Sequence, residues 1–149
     1  MSTEYFIPTF GKYDYDSIIL KIQDGDTDYI LNNLCYINCQ TLVLDYAYFQ
    51  HFANFDNYDM IINDIIEKID IILSIHKTFF VYGNLNDLSV FEVFKHLYYI
   101  EKLSKKLVEK YPNRLNKCYL CNAPGIFTLL LSIIKPFIDT GTDEKIILI

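Results

Sequence analysis

From residue 34 onward, short runs of β-branched and aromatic residues alternate with longer segments of helical period, and this alternation excludes most folds. The β-like runs are 34–44, read as one strand or as two short ones around Gln40, then 78–82, 115–122 and 145–149. The run Thr78-Phe79-Phe80-Val81-Tyr82, bounded by Gly83-Asn84, reads as a buried strand. Over 60–77, Ile62, Ile65, Ile66, Ile69, Ile72 and Leu73 recur at helical spacing, with Asp64 and Lys68 placed to pair at i, i+4 and His76 in the last turn. A second helix starts at a capping box, Ser89 with Glu92 three residues on, and stops at Pro112. Its expected inner stripe is Val90, Val93, Phe94, Leu97, Ile100, Leu103 and Leu107. A third helix, 125–138, is apolar nearly all round, so it must be covered on both sides by protein or by an apolar ligand. Strands alternating with helices imply an α/β fold with a mostly parallel β-sheet and helices packed on it.

The length of 149 residues suits one domain, 1–149. Residues 1–33, with Pro8, Gly11, Gly25 and scattered aspartates, read as an irregular N-terminal segment before an α/β core at 34–149. The net charge is −6 and Arg114 is the single arginine, which argues against nucleic acid and against holding an anionic membrane by charge alone. The N-terminus has no secretory or myristoylation pattern, the C-terminus has no prenylation cysteine, and the apolar run 126–134 is too short to span a bilayer. A cytoplasmic protein is expected. The wealth of Ile, Lys, Asn, Tyr and Phe fits an AT-rich genome, such as that of a large DNA virus or a protist.

Catalytic patterns are missing. With five glycines there is no dinucleotide or phosphate-binding loop and no nucleophile elbow. His51, His76 and His96 have no metal-like spacing, and His96, near Glu92 and Lys95, reads as solvated or half-buried. Cys35 and Cys39, and Cys118 and Cys121, fall in β-like runs, where neither pair can chelate one ion, so buried free thiols are expected. The aromatic stretch 46–58 reads either as a connection whose rings pack on the core or as the rim of an apolar pocket.

The last third carries a resemblance. It reads Tyr111-Pro112-Asn113-Arg114-Leu115, then Asn122-Ala123-Pro124, then Lys135-Pro136-Phe137-Ile138-Asp139 and Lys145-Ile146. This run resembles the CRAL-TRIO family, the lipid-binding domain of phosphatidylinositol transfer proteins and cellular retinaldehyde-binding protein. The similarity is strong over 78–149 and extends in pattern to 34–77. It implies a pocket between the sheet and helices, walled here by Phe94, Leu97, Ile126, Phe127, Leu130 and Ile134. It also implies that Thr142 and Lys145 stand where family members hold a phosphoinositide headgroup. Asn113 occupies the position of the family's acid. On chemistry alone, Lys145 suits a phosphate or is a solvated charge at a strand start.

The resemblance implies non-enzymatic binding, transfer or presentation of a phospholipid or other hydrophobic ligand, with transient membrane contact and a role in membrane trafficking. No cofactor is expected beyond a bound lipid. The 33 residues before the core are too few for the family's N-terminal helical bundle, and the chain stops at Ile149, before the family's gate helix. A minimal version of the domain is therefore expected to self-associate. The alternatives are an interaction or oligomerisation module that keeps the fold without a ligand, and an α/β enzyme with tightly spaced polar groups in the pocket.

Overall fold

The computed structural model describes residues 13–123, 125–138 and 141–149. Pro8, Gly11, Pro124, Asp139 and Thr140, which figure in the sequence motifs, lie outside the described residues.

Five strands form one sheet in the order β1-β2-β3-β4-β5: Cys35–Asn38, Thr41–Asp45, Phe79–Asn84, Leu115–Cys121 and Ile146–Leu148. The β1–β2 hairpin is antiparallel and the pairs β2–β3, β3–β4 and β4–β5 are parallel. Of the two readings of 34–44, the pair of short strands around Gln40 is the one found, with the chain reversed at Cys39, whose φ of 54° lies in the left-handed region. The register aligns Ile37, Leu42, Val81, Cys118 and Ile146 across all five strands. Side chains alternate along a strand, so this row marks one face of the sheet. The next row on that face pairs Leu44, Gly83, Leu120 and Leu148. A Cβ on Gly83 would lie 2.9 Å from Leu120 Cδ2, so glycine there makes room for the leucine.

The helix α4, Tyr58–Leu73, buries Ile61, Ile62, Ile65, Ile66, Ile69 and Ile72 in the main core. It stops short of the predicted residue 77. His76 lies past its end, its amide donating to the Ile72 carbonyl at 2.9 Å. Residues 1–33 are not wholly irregular: α1 (Tyr15–Gln23) and α2 (Thr27–Leu34) are capped by the Asp14 and Asp26 carboxylates, which accept from Ser17 and Tyr29 amides. The aromatic connection also contains a helix, α3 (Tyr46–Phe52), capped by Asp45.

The Asp64–Lys68 pair forms at 2.7 Å with both side chains largely buried. Lys68 Nζ also donates to the carbonyls of Leu31, at 3.3 Å, and Cys35, at 2.5 Å. It ties α4 to the α2–β1 junction. Lys68→Met removes the donor to both carbonyls, of which Leu31 still accepts from the Cys35 amide, and leaves the largely buried Asp64 without its cation. The expected loss is about 1–3 kcal/mol in urea unfolding; an unchanged midpoint would show that these bonds add nothing over hydration.

The capping-box helix is divided at His96 into α5 (Val90–Lys95) and α6 (Leu97–Lys110). Ser89 Oγ accepts from the Glu92 amide at 3.2 Å, as predicted. The expected inner stripe is corrected in two places. Val90 and Phe94 are exposed, at 51% and 56%, while Val93, His96 and Tyr99 turn inward. Apolar identity marked more residues than one helical stripe can bury. The third helix is shorter than 125–138: α7 spans Phe127–Ile134 and is followed by 3-10 turns at Lys135–Phe137 and Asp143–Lys145.

Candidate ligand-binding site

Two apolar chambers lie where sheet residues meet α6 and α7. The first has a cavity volume of about 150 Å³ and is walled by Leu34, Leu44, Phe49, Leu85, Leu88, Tyr99, Ile100, Leu103 and Leu130. The second, about 200 Å³, rests on Leu42, Phe79, Val81, Cys118 and Ile146 of the sheet, with Leu107, Val108, Ile134 and Ile138 on the helical side. Leu44 and Leu103 wall both. Strand alternation puts Leu42, Leu44 and Val81 on one side, and the i, i+4 spacing of Leu103 and Leu107 brings them over it.

Asn113, Thr142 and Lys145 all line the second chamber, with Ser104 as a further polar group. They come from separate places in the chain. Asn113 sits in the turn between α6 and β4 with φ at 60°, a conformation asparagine tolerates better than most residues. Thr142 and Lys145 flank the 3-10 turn that opens β5. Lys145 makes no ion pair among the described residues, whereas neighbouring Asp143 pairs with Lys135 at 3.8 Å. The site therefore has a largely apolar lining with one cationic side chain in it.

Of the six expected wall residues, Leu130 lines the first chamber and Ile134 the second. Ile126 is buried in a small cluster with Val93 and Ala123 behind α7. Phe94, Leu97 and Phe127 line neither chamber. The first chamber also has residues not anticipated from sequence: Asp45, Asn84, Glu92 and His96. They arise at the carboxyl ends of β2 and β3 and on α5, which only the parallel register brings together. Tyr46 and Phe49, from the aromatic stretch, line the same chamber.

These polar groups largely satisfy one another. Tyr13 Oη donates to both Asp45 oxygens at 2.9 Å, and Asn84 Nδ2 donates to Tyr13 Oη at 2.5 Å. Burial raises the Asp45 carboxyl above its ordinary value, against the bonds from Tyr13 and the Ala47 amide. Tyr46 Oη donates to Glu92 at 3.1 Å. The Glu92 carboxylate thus serves the chamber wall as well as its helix start.

His96 is 2% exposed, not solvated as expected, because its backbone turn between α5 and α6 points the ring inward. Tyr58 Oη lies 2.6 Å from Nδ1. Nε2 lies 3.3 Å from Glu92 but has no aligned hydrogen-bond partner among the described residues. A neutral ring accepting the Tyr58 proton at Nδ1 fits this network; the tautomer is assigned from the contacts. Burial lowers the His96 pKa, outweighing the nearby Glu92 charge. The unfolded chain therefore takes up a proton at higher pH than the fold does. Stability from this site is full above about 6.5, the ordinary histidine value, and falls as pH drops below it. Melts of wild type and His96→Gln between pH 7.5 and 5 are expected to converge as pH falls. Parallel curves would remove His96 as the source.

All four cysteines are free, and Cys35 and Cys121 are buried as expected, but Cys39 is exposed because it makes the turn between β1 and β2. Burial pushes the Cys35 and Cys118 thiols up to about 12, so they behave as apolar packing groups.

An open parallel sheet with apolar chambers against its covering helices defines a class of α/β domain, and the comparisons give it a family. Residues 35–149 match the CRAL/TRIO domain, and the chain belongs to that family, whose members bind lipophilic molecules. It is similar to the SEC14 cytosolic factor of Candida glabrata, at 33% identity over 66 residues, which cover 44% of this chain and 22% of that protein. The chain thus matches about a fifth of that relative's length. The crystal structure of Sfh5 has the same fold, with a TM-score of 0.66 at 18% identity, over 79% of this chain and 48% of that one. Among the described residues no helix is long and apolar enough to cross a membrane.

Proposed function

We propose that this protein is a non-enzymatic lipid-binding module of the cytosol. It holds the apolar part of a phospholipid, or of another hydrophobic molecule bearing an anionic group, in the two chambers. The polar group rests at Asn113, Thr142 and Lys145. One observation carries the reading: these three residues, from distant parts of the sequence, all line the same, otherwise largely apolar cavity. An ammonium and a hydroxyl suit phosphate oxygens, which accept from both.

The chambers are on the scale of an engineered cavity of about 150 Å³ that takes up benzene. Each therefore fits a segment of a chain, and admitting a whole lipid requires a helix to part from the sheet. Among the α-helices described, α7 has least to lose, because none of its residues is fully buried although most are apolar.

That half-exposed apolar helix also favours a second reading, an interaction module that self-associates through α7. Native mass spectrometry, followed by organic extraction, separates the two. A lipid at one per chain is expected. A lipid-free protein assembled as a defined dimer or larger oligomer would replace the first reading with the second.

A further inference from the structure

We propose that the outer face of α5 and α6, centred on Phe91, Phe94 and Tyr98, docks this protein on an anionic phospholipid bilayer. Phe91, Phe94 and Tyr98 are 73%, 56% and 50% exposed. Phe91 and Phe94, at i, i+3, share one face of α5, and Tyr98 stands in the first turn of α6, just past the turn at His96. Phe55, 71% exposed, extends the patch from the loop before α4, its ring centroid 5.1 Å from that of Tyr98.

The charge around the rings names the partner. Along α6 the i, i+4, i+7 spacing runs from Tyr98 to Lys102 and Lys105, and Lys102 Nζ lies 5.6 Å from the Tyr98 ring centroid. Lys102 pairs with Asp59, but Lys95, Lys105 and Lys106 are exposed and make no ion pair among the described residues. Residues 90–110 carry five lysines against three glutamates, a balance of +2 within a chain of −6 that leaves −8 elsewhere. An anionic surface would attract this face and repel the remainder, which orients the molecule. The nearby acids Asp56, Asp59, Glu101 and Glu109 limit the charge term, so the rings must supply much of the affinity. Aromatic residues favour the headgroup boundary of a bilayer. A second copy fits less well, because face-to-face pairing would set like-charged lysines together.

The inner faces of α5 and α6 supply Glu92, His96, Ile100 and Leu103 to the chambers. Docking would lay the wall of the candidate lipid site against the source of lipid. The choice of a bilayer as partner rests on the lipid-binding reading; the aromatic and basic face is an independent observation.

The chain has no tryptophan, so a single introduced one reports its own surroundings. Phe94→Trp is expected to show a blue-shifted emission on 70:30 phosphatidylcholine:phosphatidylserine vesicles. Ile75→Trp, at a site 80% exposed beyond the end of α4, is expected to show none. Phe91→Ser with Phe94→Ser should lower vesicle co-sedimentation at least about tenfold, given the apolar area of two phenylalanines. Lys105→Ala should lower it roughly fivefold on anionic vesicles only. Both changes are at exposed positions, and unchanged thermal melts would exclude misfolding. No shift at Phe94→Trp, an equal shift at both sites, or a concentration-dependent shift without vesicles would overturn the proposal, the last in favour of a second copy. Vesicle docking by a protein that never holds lipid would support this surface while removing the lipid-binding reading. Bound lipid without docking would remove this surface alone.

Discussion

Lys145→Ala is expected to weaken capture of a phosphate-bearing lipid about tenfold or more while leaving an uncharged apolar ligand almost unaffected. The ammonium lines the second chamber and has no ion-pair partner among the described residues. A hydrogen bond to a charged group contributes about 1.5–3 kcal/mol, and 1.4 kcal/mol is a factor of ten in affinity. The measurement is displacement of a fluorescent lipid, run in parallel with a neutral aliphatic alcohol. Thr142→Val should act in the same direction with a smaller effect, since it removes a neutral hydroxyl. Equal loss for both ligands would point to a damaged fold instead of a lost contact. No loss for either would leave Lys145 as a solvated charge at the start of β5.

Ile69→Ala is expected to have the largest effect on stability. Ile69 is fully buried in the middle of α4 and belongs to the main core. Truncating a buried isoleucine costs about 2–5 kcal/mol through lost transfer energy and the cavity left behind. For a domain of this size that lowers Tm by roughly 4–20 °C. Ile71, two residues on, is 56% exposed, and Ile71→Ala should change stability by less than about 0.5 kcal/mol. The pair controls for helix propensity, because both changes place alanine in the same helix. Similar shifts at both positions would mean that the inward face of α4 has been misassigned.

The parallel α/β architecture was legible because each element carries its own period. The isoleucines of α4 repeat at helical spacing, and Phe79–Asn84 is an unbroken apolar run ended by polar residues. Local capping was legible for the same reason, since Ser89 and Glu92 are close in the chain. Prediction weakened where two elements compete for one stretch. The division of 34–44 into a hairpin depends on the positive φ at Cys39, and the division of 89–111 depends on the turn at His96. Neither position carries the glycine or proline that would have announced it. The candidate site was approached only through the motifs of the last third, which single out Asn113, Thr142 and Lys145, all three of which line the second chamber. Asp45, Asn84, Glu92 and His96 have no shared motif, and sequence reasoning passed over them as chamber residues.

By itself, then, the sequence determined the alternation of strands and helices from residue 34 onward and the family of the chain, because these follow from local periodicity and from short motifs read in sequence, whereas α1, α2 and α3 carry no such signal. The tertiary structure decided which apolar residues face a chamber and which face water. Phe94 and Val93 are adjacent and both apolar, yet one is exposed and the other fully buried. Only the packing of α5 against the elements around it sets that choice, since a helix can turn one stripe inward and no more. It also decided that His96 is buried beside Tyr58 and that Leu44 and Leu103 wall two chambers together. Those contacts join residues dozens of positions apart, and the packing of α4, α5 and α6 on the sheet, not any local propensity, is what brings them within reach.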